Sequence, residues 1–303
     1  MSGLPRRAVL GSAAGALTAG VTLIGLGVRA ARSAAPTPRS GPSDRPLRAA
    51  GRSGPDPAEI ARRERARRVA ALDSALRQYD NAVPALSVSL LDHTTGQRYS
   101  YRGGDRCDTA SAVKVEVLAC LLLTAQNRRR ELTSSELALA TRMIRNSDND
   151  ATTTLFARLG RAKAVSRSNT RLGLTNTVVN SAWGLTRTTA DDQVTLLAKL
   201  IDTSGPLDPK SRKLASSLMT AVEADQRWGV SAAARPGEHV ALKNGWDTRT
   251  ADHGLWVVNS LGRIFDDDVN VSMAVLSHGH RTLPAGITVV EKVAKLTREH
   301  LAW

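Results

Sequence analysis

The chain has 303 residues, 42% of them hydrophobic and only 3% aromatic, so a core must be built mainly from Ala, Val and Leu. Its formal net charge is +14; eight Arg and two Asp in residues 1–57 put about +6 there and about +8 on the remainder. Such a charge favours anionic surroundings. Without nucleic-acid-binding motifs or interleaved aromatics, the sequence excludes a DNA or RNA partner.

Arg6-Arg7 precede a run from Ala8 to Val28 that carries no charge and is rich in Ala, Gly and Leu. The string looks like a twin-arginine export signal, so residues 1–35 are expected to be a cleaved leader or an uncleaved anchor. Val28-Arg29-Ala30 and Ser33-Ala34-Ala35 offer small residues for cleavage. Six prolines among Gly, Ser and Arg make residues 36–57 a disordered tether. The folded domain is expected over 58–303, exported to the extracellular or cell-wall space, with the membrane involved only through an uncleaved leader. A monomer is expected.

Apolar spacing predicts a first helix over about 58–78, whose arginines form a solvated face. Residues 85–92 alternate as a strand, 93–97 supply a turn, and 98–101 form a second strand. Helical spacing then fills 111–126, 134–144, 150–159, 189–201 and 208–221. Strand patterns return at 239–243, 255–260 and 269–276, and a last helix covers 285–301. This order implies an α+β fold: an antiparallel sheet built from both chain ends, flanked by the terminal helices, with an inserted all-helical lobe. A cleft between sheet and lobe is the natural place for a site.

Three short motifs fall in order along this frame: Ser111-Ala112-Val113-Lys114, Ser147-Asp148-Asn149 and Lys243-Asn244-Gly245. A serine hydroxyl is nearly inert at neutral pH and needs a base. Three residues on, along a helix, Lys114 shares a face with Ser111 and can serve if burial lowers its pKa. Ser147 stands between two helices, suiting a loop that projects into a cleft. Lys243 closes a strand, with Trp246 just beyond. The two cysteines, Cys107 and Cys120, read as free or buried thiols. His278-Gly-His280 reads as a solvated turn rather than a pair of metal ligands, and Arg128-Arg129-Arg130 as a solvated loop. No metal and no cofactor is expected.

In their order and placement these motifs resemble those of class A β-lactamases and penicillin-binding proteins, over about residues 58–303. Gly184-Leu185-Thr186-Arg187-Thr188-Thr189 is similar to the stretch after that family's Ω-shaped loop. The resemblance implies that Ser111 attacks an acyl carbonyl and Lys114 takes its proton. It also implies that Ser147 passes a proton to the leaving nitrogen, and that Lys243 orients Ser147 and attracts a substrate carboxylate. Asn149, Asn244, Gly245 and Trp246 would bind substrate, and the N–H groups of Ser111 and Trp246 would hold the oxyanion.

The sequence departs from the family in three places. No glutamate occurs between Glu136 and Glu223, so residues 174–188 offer Asn176, Asn180 and Ser181 where a deacylating carboxylate is expected. Asn244 replaces the usual Thr or Ser. Ser111 to Ser147 spans only 36 positions, implying a trimmed lobe. The expected activity is acyl-enzyme formation on Ser111 with β-lactams or related small-molecule or peptidoglycan-derived substrates, followed by slow release. The alternatives are a D-alanyl-D-alanine carboxypeptidase or esterase, and a non-catalytic module that binds wall fragments or β-lactams.

Overall fold

The computed structural model describes residues 56–303. The leader, its cleavage points and the tether up to residue 55 lie outside the described residues. The first helix, α1 (Pro57–Asp80), starts where Pro57 supplies a preset φ and the Asp56 carboxylate accepts the N–H of Ala58 at 3.0 Å. Two antiparallel strands follow, β1 (Leu86–Asp92) and β2 (Arg98–Tyr101), then a short β3 (Cys107–Asp108). A 3₁₀ turn (Ala110–Val113) leads into α2 (Lys114–Asn127).

The lobe continues with α3 (Ser134–Arg145), α4 (Asn149–Leu159) and α5 (Arg161–Leu172), the two-residue β4 (Arg187–Thr188), then α6 (Ala190–Lys199) and α7 (Pro209–Thr220). Three long strands, β5 (His239–Arg249), β6 (Leu255–Phe265) and β7 (Asn270–His280), precede the last helix, α8 (Leu283–Leu301).

The main sheet is antiparallel in the order β2-β1-β7-β6-β5, which brings the first strands against the last, as the α+β reading required. Alternation along its strands divides two cores. Leu86, Val88 and Leu90 of β1 meet Leu72 and Leu76 of α1 and Val289, Val290 and Val293 of α8 on one face. At Gly286 of α8 a Cβ would stand 2.3 Å from the Val258 side chain, so glycine lets this helix lie close on the sheet.

Leu91, Leu261 and Leu276 belong to the opposite face, which packs on the lobe. Helix α2 runs through the middle of that lobe and is buried from Lys114 to Leu123. The stretch Ala110–Asn127 has a mean hydropathy of 1.2, and its burial inside the domain accounts for that apolarity.

Several local expectations are corrected. Helix α5 was not foreseen: its inner face is Ala164, Val165, Ser168, Asn169 and Leu172, whose polar and small members hide the apolar period. Strands β5, β6 and β7 each run eleven residues, so Lys243 sits mid-strand rather than closing one. His280 lies within β7, 2% exposed, with its ring bonded to Ser277 Oγ, and is not a solvated turn residue. Arg130 is held by both carboxylate oxygens of Glu136, which also completes the cap of α3 through the N–H of Thr133. Cys107 and Cys120 are both free and buried.

Candidate active site

One motif is preceded by, and another begins at, a residue held in unusual backbone geometry. Ala110, just before Ser111, has φ 45°, and Ser147 has φ 54°; both are left-handed conformations that cost a non-glycine residue about 1–3 kcal/mol. The expected α-helical start at Ser111 is replaced by the 3₁₀ turn. There residues three apart eclipse, which aims Lys114 back at Ser111 more directly than an α-helix would.

The turn is braced from three sides. Asn259 of β6 donates to the carbonyls of Asp108 and Thr109, and the Thr109 N–H bonds Thr186 O at 2.7 Å. Gly245 of β5 presses against it so closely that a Cβ would fall 2.4 Å from Thr109 O and 2.5 Å from Ala112 N. Gly245 is therefore a spacing residue: only a bare Cα lets strand and turn meet.

Lys114 Nζ lies 2.8 Å from Ser111 Oγ, 3.0 Å from Ser147 Oγ, 2.6 Å from Ser147 O and 2.8 Å from Asn149 Oδ1. Lys243 Nζ reaches Ser147 Oγ at 3.0 Å and the Asn244 carbonyl at 2.8 Å. The four groups expected to converge thus form one continuous chain from Ser111 through Lys114 and Ser147 to Lys243. Ser147 is presented at the α3–α4 junction, where the Asp148 side chain caps α4 by accepting the N–H of Ala151 at 2.8 Å and is held by Arg142.

Both lysines are fully buried, and no carboxylate bonds to either amine. Burial pushes Lys114 down to about 7, opposed only by the more distant Asp148 charge. Lys243 is pushed well below the usual lysine range, first by burial and then by the Lys114 charge. The contacts fit a neutral Lys114. In that form two N–H groups would serve Ser147 O and Asn149 Oδ1, which can only accept, and the lone pair would face the Ser111 and Ser147 hydroxyls.

The hydroxyl of Ser111 opens into a cleft of about 320 Å³ whose walls include Asn149, Trp183, Leu185, Trp246 and Asp247. Of the expected binding residues, Asn149, Gly245 and Trp246 stand at or beside this cleft. Asn244 does not. Strand alternation turns its side chain to the opposite face, where it is 1% exposed and donates to the carbonyls of Gln226 and Trp228. Its expected role in substrate binding is corrected to that of a buried strut.

The segment 174–188 is clamped by a polar network. The Asn176 N–H and Thr177 hydroxyl both donate to Asp192, Thr177 bonds Thr188, and Gln193 links Thr188 to the buried Glu116. Asn180 accepts the N–H of Ala182 within its own turn, and Asn176 is exposed beside Thr175. Neither Asn faces the cleft. Trp183 does, its ring centroid 5.1 Å from Lys114 Nζ and its indole N–H donated to Thr153. Trp246 mirrors it, 5.8 Å from Lys243 Nζ and edge-on to Trp228. Each buried amine is thus covered by an indole face. Trp183, Glu116 and Asp247 were not foreseen: a lone Trp, a Glu within an apolar helix and an exposed Asp carry no motif. Among the described residues, no group of three or more His, Cys, Asp or Glu side chains is placed to hold a metal ion.

A hydroxyl with a buried amine beside it and a second hydroxyl–amine pair, set between an antiparallel sheet and a helical lobe, are the arrangement that a serine-hydrolase type of site requires. A class A β-lactamase from Mycobacterium abscessus shares the fold at TM-score 0.66 and 19% identity, over 77% of this chain and 100% of that one. PBP-A does so at 0.66 and 20%, over 77% and 96%. The sequence profile of the β-lactamase enzyme family matches residues 126–301, and the chain belongs to that family. The match includes Ser147 and Lys243, while Ser111 and Lys114 stand just before it. The proposed lipoprotein LppW of Mycobacterium tuberculosis (strain ATCC 25618 / H37Rv) is 31% identical over 169 residues, 53% of this chain and 54% of its own, as is LppW of Mycobacterium bovis. The chain spans about half the length of these curated relatives.

Proposed function

We propose that this protein forms an acyl-enzyme on Ser111 with β-lactams or related wall peptides and releases the acyl group slowly. Neutral Lys114 takes the Ser111 proton as Oγ bonds to the carbonyl carbon. The carbon–nitrogen bond then breaks, and Ser147 hands a proton to the departing nitrogen, replenished through its bridge to Lys114. Lys243 holds the Ser147 hydroxyl in line. Water later cleaves the Ser111 ester, giving the free acid and restoring the hydroxyl.

The observation that carries this reading is the unbroken contact chain Ser111–Lys114–Ser147–Lys243, each link between 2.8 and 3.0 Å. Slow release is supported by the cleft wall at 174–188, which presents Trp183 and Leu185 and no carboxylate to activate water. Loss of a general base costs typically about 10²–10⁴-fold on its step. An exported, wall-facing location is supported by Arg6-Arg7 with the uncharged run behind them and by the lipoprotein designation of the LppW relatives. Residues 1–55 contain no cysteine on which a lipid could be carried, which favours a twin-arginine leader or a plain anchor here.

Incubation of the protein and of Ser111→Ala with a reporter penicillin, read by intact mass, tests the proposal. A persistent adduct on wild type alone is expected. Rapid turnover with nothing trapped would remove the slow-release step, and an equal adduct on Ser111→Ala would remove the nucleophile.

A further inference from the structure

Charged walls sort substrates before chemistry begins, and this cleft has an unusual charge pattern. Among the described residues, the charged side chain on its wall is Asp247, 60% exposed. Asn244, the position from which a carboxylate could be greeted, faces the other side of the sheet. Lys243 is fully buried, and its amine is taken up by Ser147 and the Asn244 carbonyl.

The neighbouring guanidinium, Arg249, is 8% exposed and held by four hydrogen bonds. Its Nε donates to Asp108, its Nη1 to Asp247 and the Thr248 carbonyl, and its Nη2 to the Gly184 carbonyl. Arg249 is therefore a strut between β5 and the 174–188 segment, with four of its five N–H donors already used. The apolar surface of the cleft comes from Trp183, Leu185 and Trp246, and Leu185 is left 43% exposed with nothing packed over it.

We propose that this cleft selects acyl donors whose leaving side carries no carboxylate and whose acyl side carries an apolar or aromatic group that packs between Trp183 and Trp246. The inference rests on the acyl-enzyme reading above and narrows it: an internal amide or an ester suits the cleft better than a chain-terminal amino acid. A carboxylate next to the scissile bond would meet the Asp247 carboxylate, while Lys243 and Arg249 beside it are buried and already engaged, Arg249 between Asp247 and Asp108. An aromatic acyl group would bury area against two indoles at little entropic cost. Penicillins remain usable probes because their strained ring supplies reactivity that recognition does not.

The test uses the full chain and four thioesters: phenylacetyl or acetyl donors, each on a leaving thiol bearing either a carboxylate or its methyl ester. Thiol release gives kcat/KM for each. The methyl ester is expected to react at least threefold faster than the acid, and phenylacetyl about tenfold faster than acetyl. Asp247→Asn should narrow the first ratio and Trp246→Ala the second, while the wild-type ratios stand even if a variant fails to fold. An acid that reacts as fast as its methyl ester, on a protein whose Ser111 is labelled by penicillin, overturns this inference alone. No thiol release together with no labelled Ser111 overturns the acyl-enzyme reading and this inference with it.

Discussion

The proposed acylation needs Lys114 without its proton, so the rate of Ser111 labelling should follow the titration of a buried amine. An unperturbed lysine, near 10.4, would be neutral in only about 0.04% of molecules at pH 7. Lowered to about 7, Lys114 is neutral in roughly half. That is a gain of about three decades, achieved by burial and by withholding a partner carboxylate. The second-order labelling constant should rise about tenfold per pH unit below 7 and level off above about 8, so that pH 5 lies about a hundredfold below the plateau. Since Ser147 bridges Lys114 and Lys243, the midpoint belongs to the pair. Stability carries the same signature. A lysine whose folded pKa is depressed makes stability rise with pH between about 7 and 10.5, and at pH 7 the penalty is about 4–5 kcal/mol. Lys114→Met removes it but strands Ser147 O and Asn149 Oδ1, at about 1–3 kcal/mol each. The two effects are of similar size, so stability at pH 7 should change by no more than about 3 kcal/mol in thermal unfolding while labelling is abolished. A labelling profile flat from pH 5 to 9, or one still climbing at pH 10, would refute the neutral-lysine mechanism.

Trp183→Glu should place a carboxylate near Lys114. Adduct decay followed by mass should then quicken by about 10²-fold, and the labelling midpoint should move up by about 1–3 pH units. Gly245→Ala forces a Cβ onto the Ser111 turn, so unfolding free energy should drop by about 1–3 kcal/mol and labelling should fall even in the folded fraction. Glu116, fully buried, has its carboxyl pushed up to about 7, so its contribution to stability is present below about pH 4.5 and lost as pH rises through 7. Glu116→Gln should flatten that decline in denaturant titrations, giving about 2–3 kcal/mol at pH 8 and little at pH 4. The new amide nitrogen can donate to the side-chain oxygen of Asn169, which lacks a partner, once the Asn169 amide turns over.

The order of elements and the four reacting groups were legible because each is encoded locally. Asp56, Asp208 and Thr189 cap helices where capping residues stand in sequence, and the period-two runs at 85–92 and 269–276 become neighbouring strands. The strand ends of β5 and β6 were read short because both run past their apolar residues into Asp247, Thr248 and Arg263, which sheet pairing holds in place regardless. Helix α5 hid behind polar residues that are buried because partners exist elsewhere: Asn169 is inside only because Glu116, 53 positions away, accepts its amide. Such pairings belong to the fold, and no local window contains them.

The same distinction explains the site. Asn244 looked like an altered binding residue because the motif supplies order, whereas strand parity decides direction. Residues 243 and 245 face the lobe, so 244 must face away, and in this chain carbonyls of the Gln226–Trp228 turn wait there to receive it. A threonine hydroxyl is short enough to bend back towards its own strand edge; an amide reaching those carbonyls is held. Asn244 is thereby turned away from the cleft, whose wall at 174–188 carries Trp183 and Leu185 and no carboxylate. Both features act in the same direction, towards a drier and less anion-seeking pocket around an intact nucleophile. Two buried amines without a counter-carboxylate can persist there only if at least one of them stays neutral. On the proposed reading, a cleft wall without a carboxylate would also leave Lys114 without a counter-charge and so able to serve as the base.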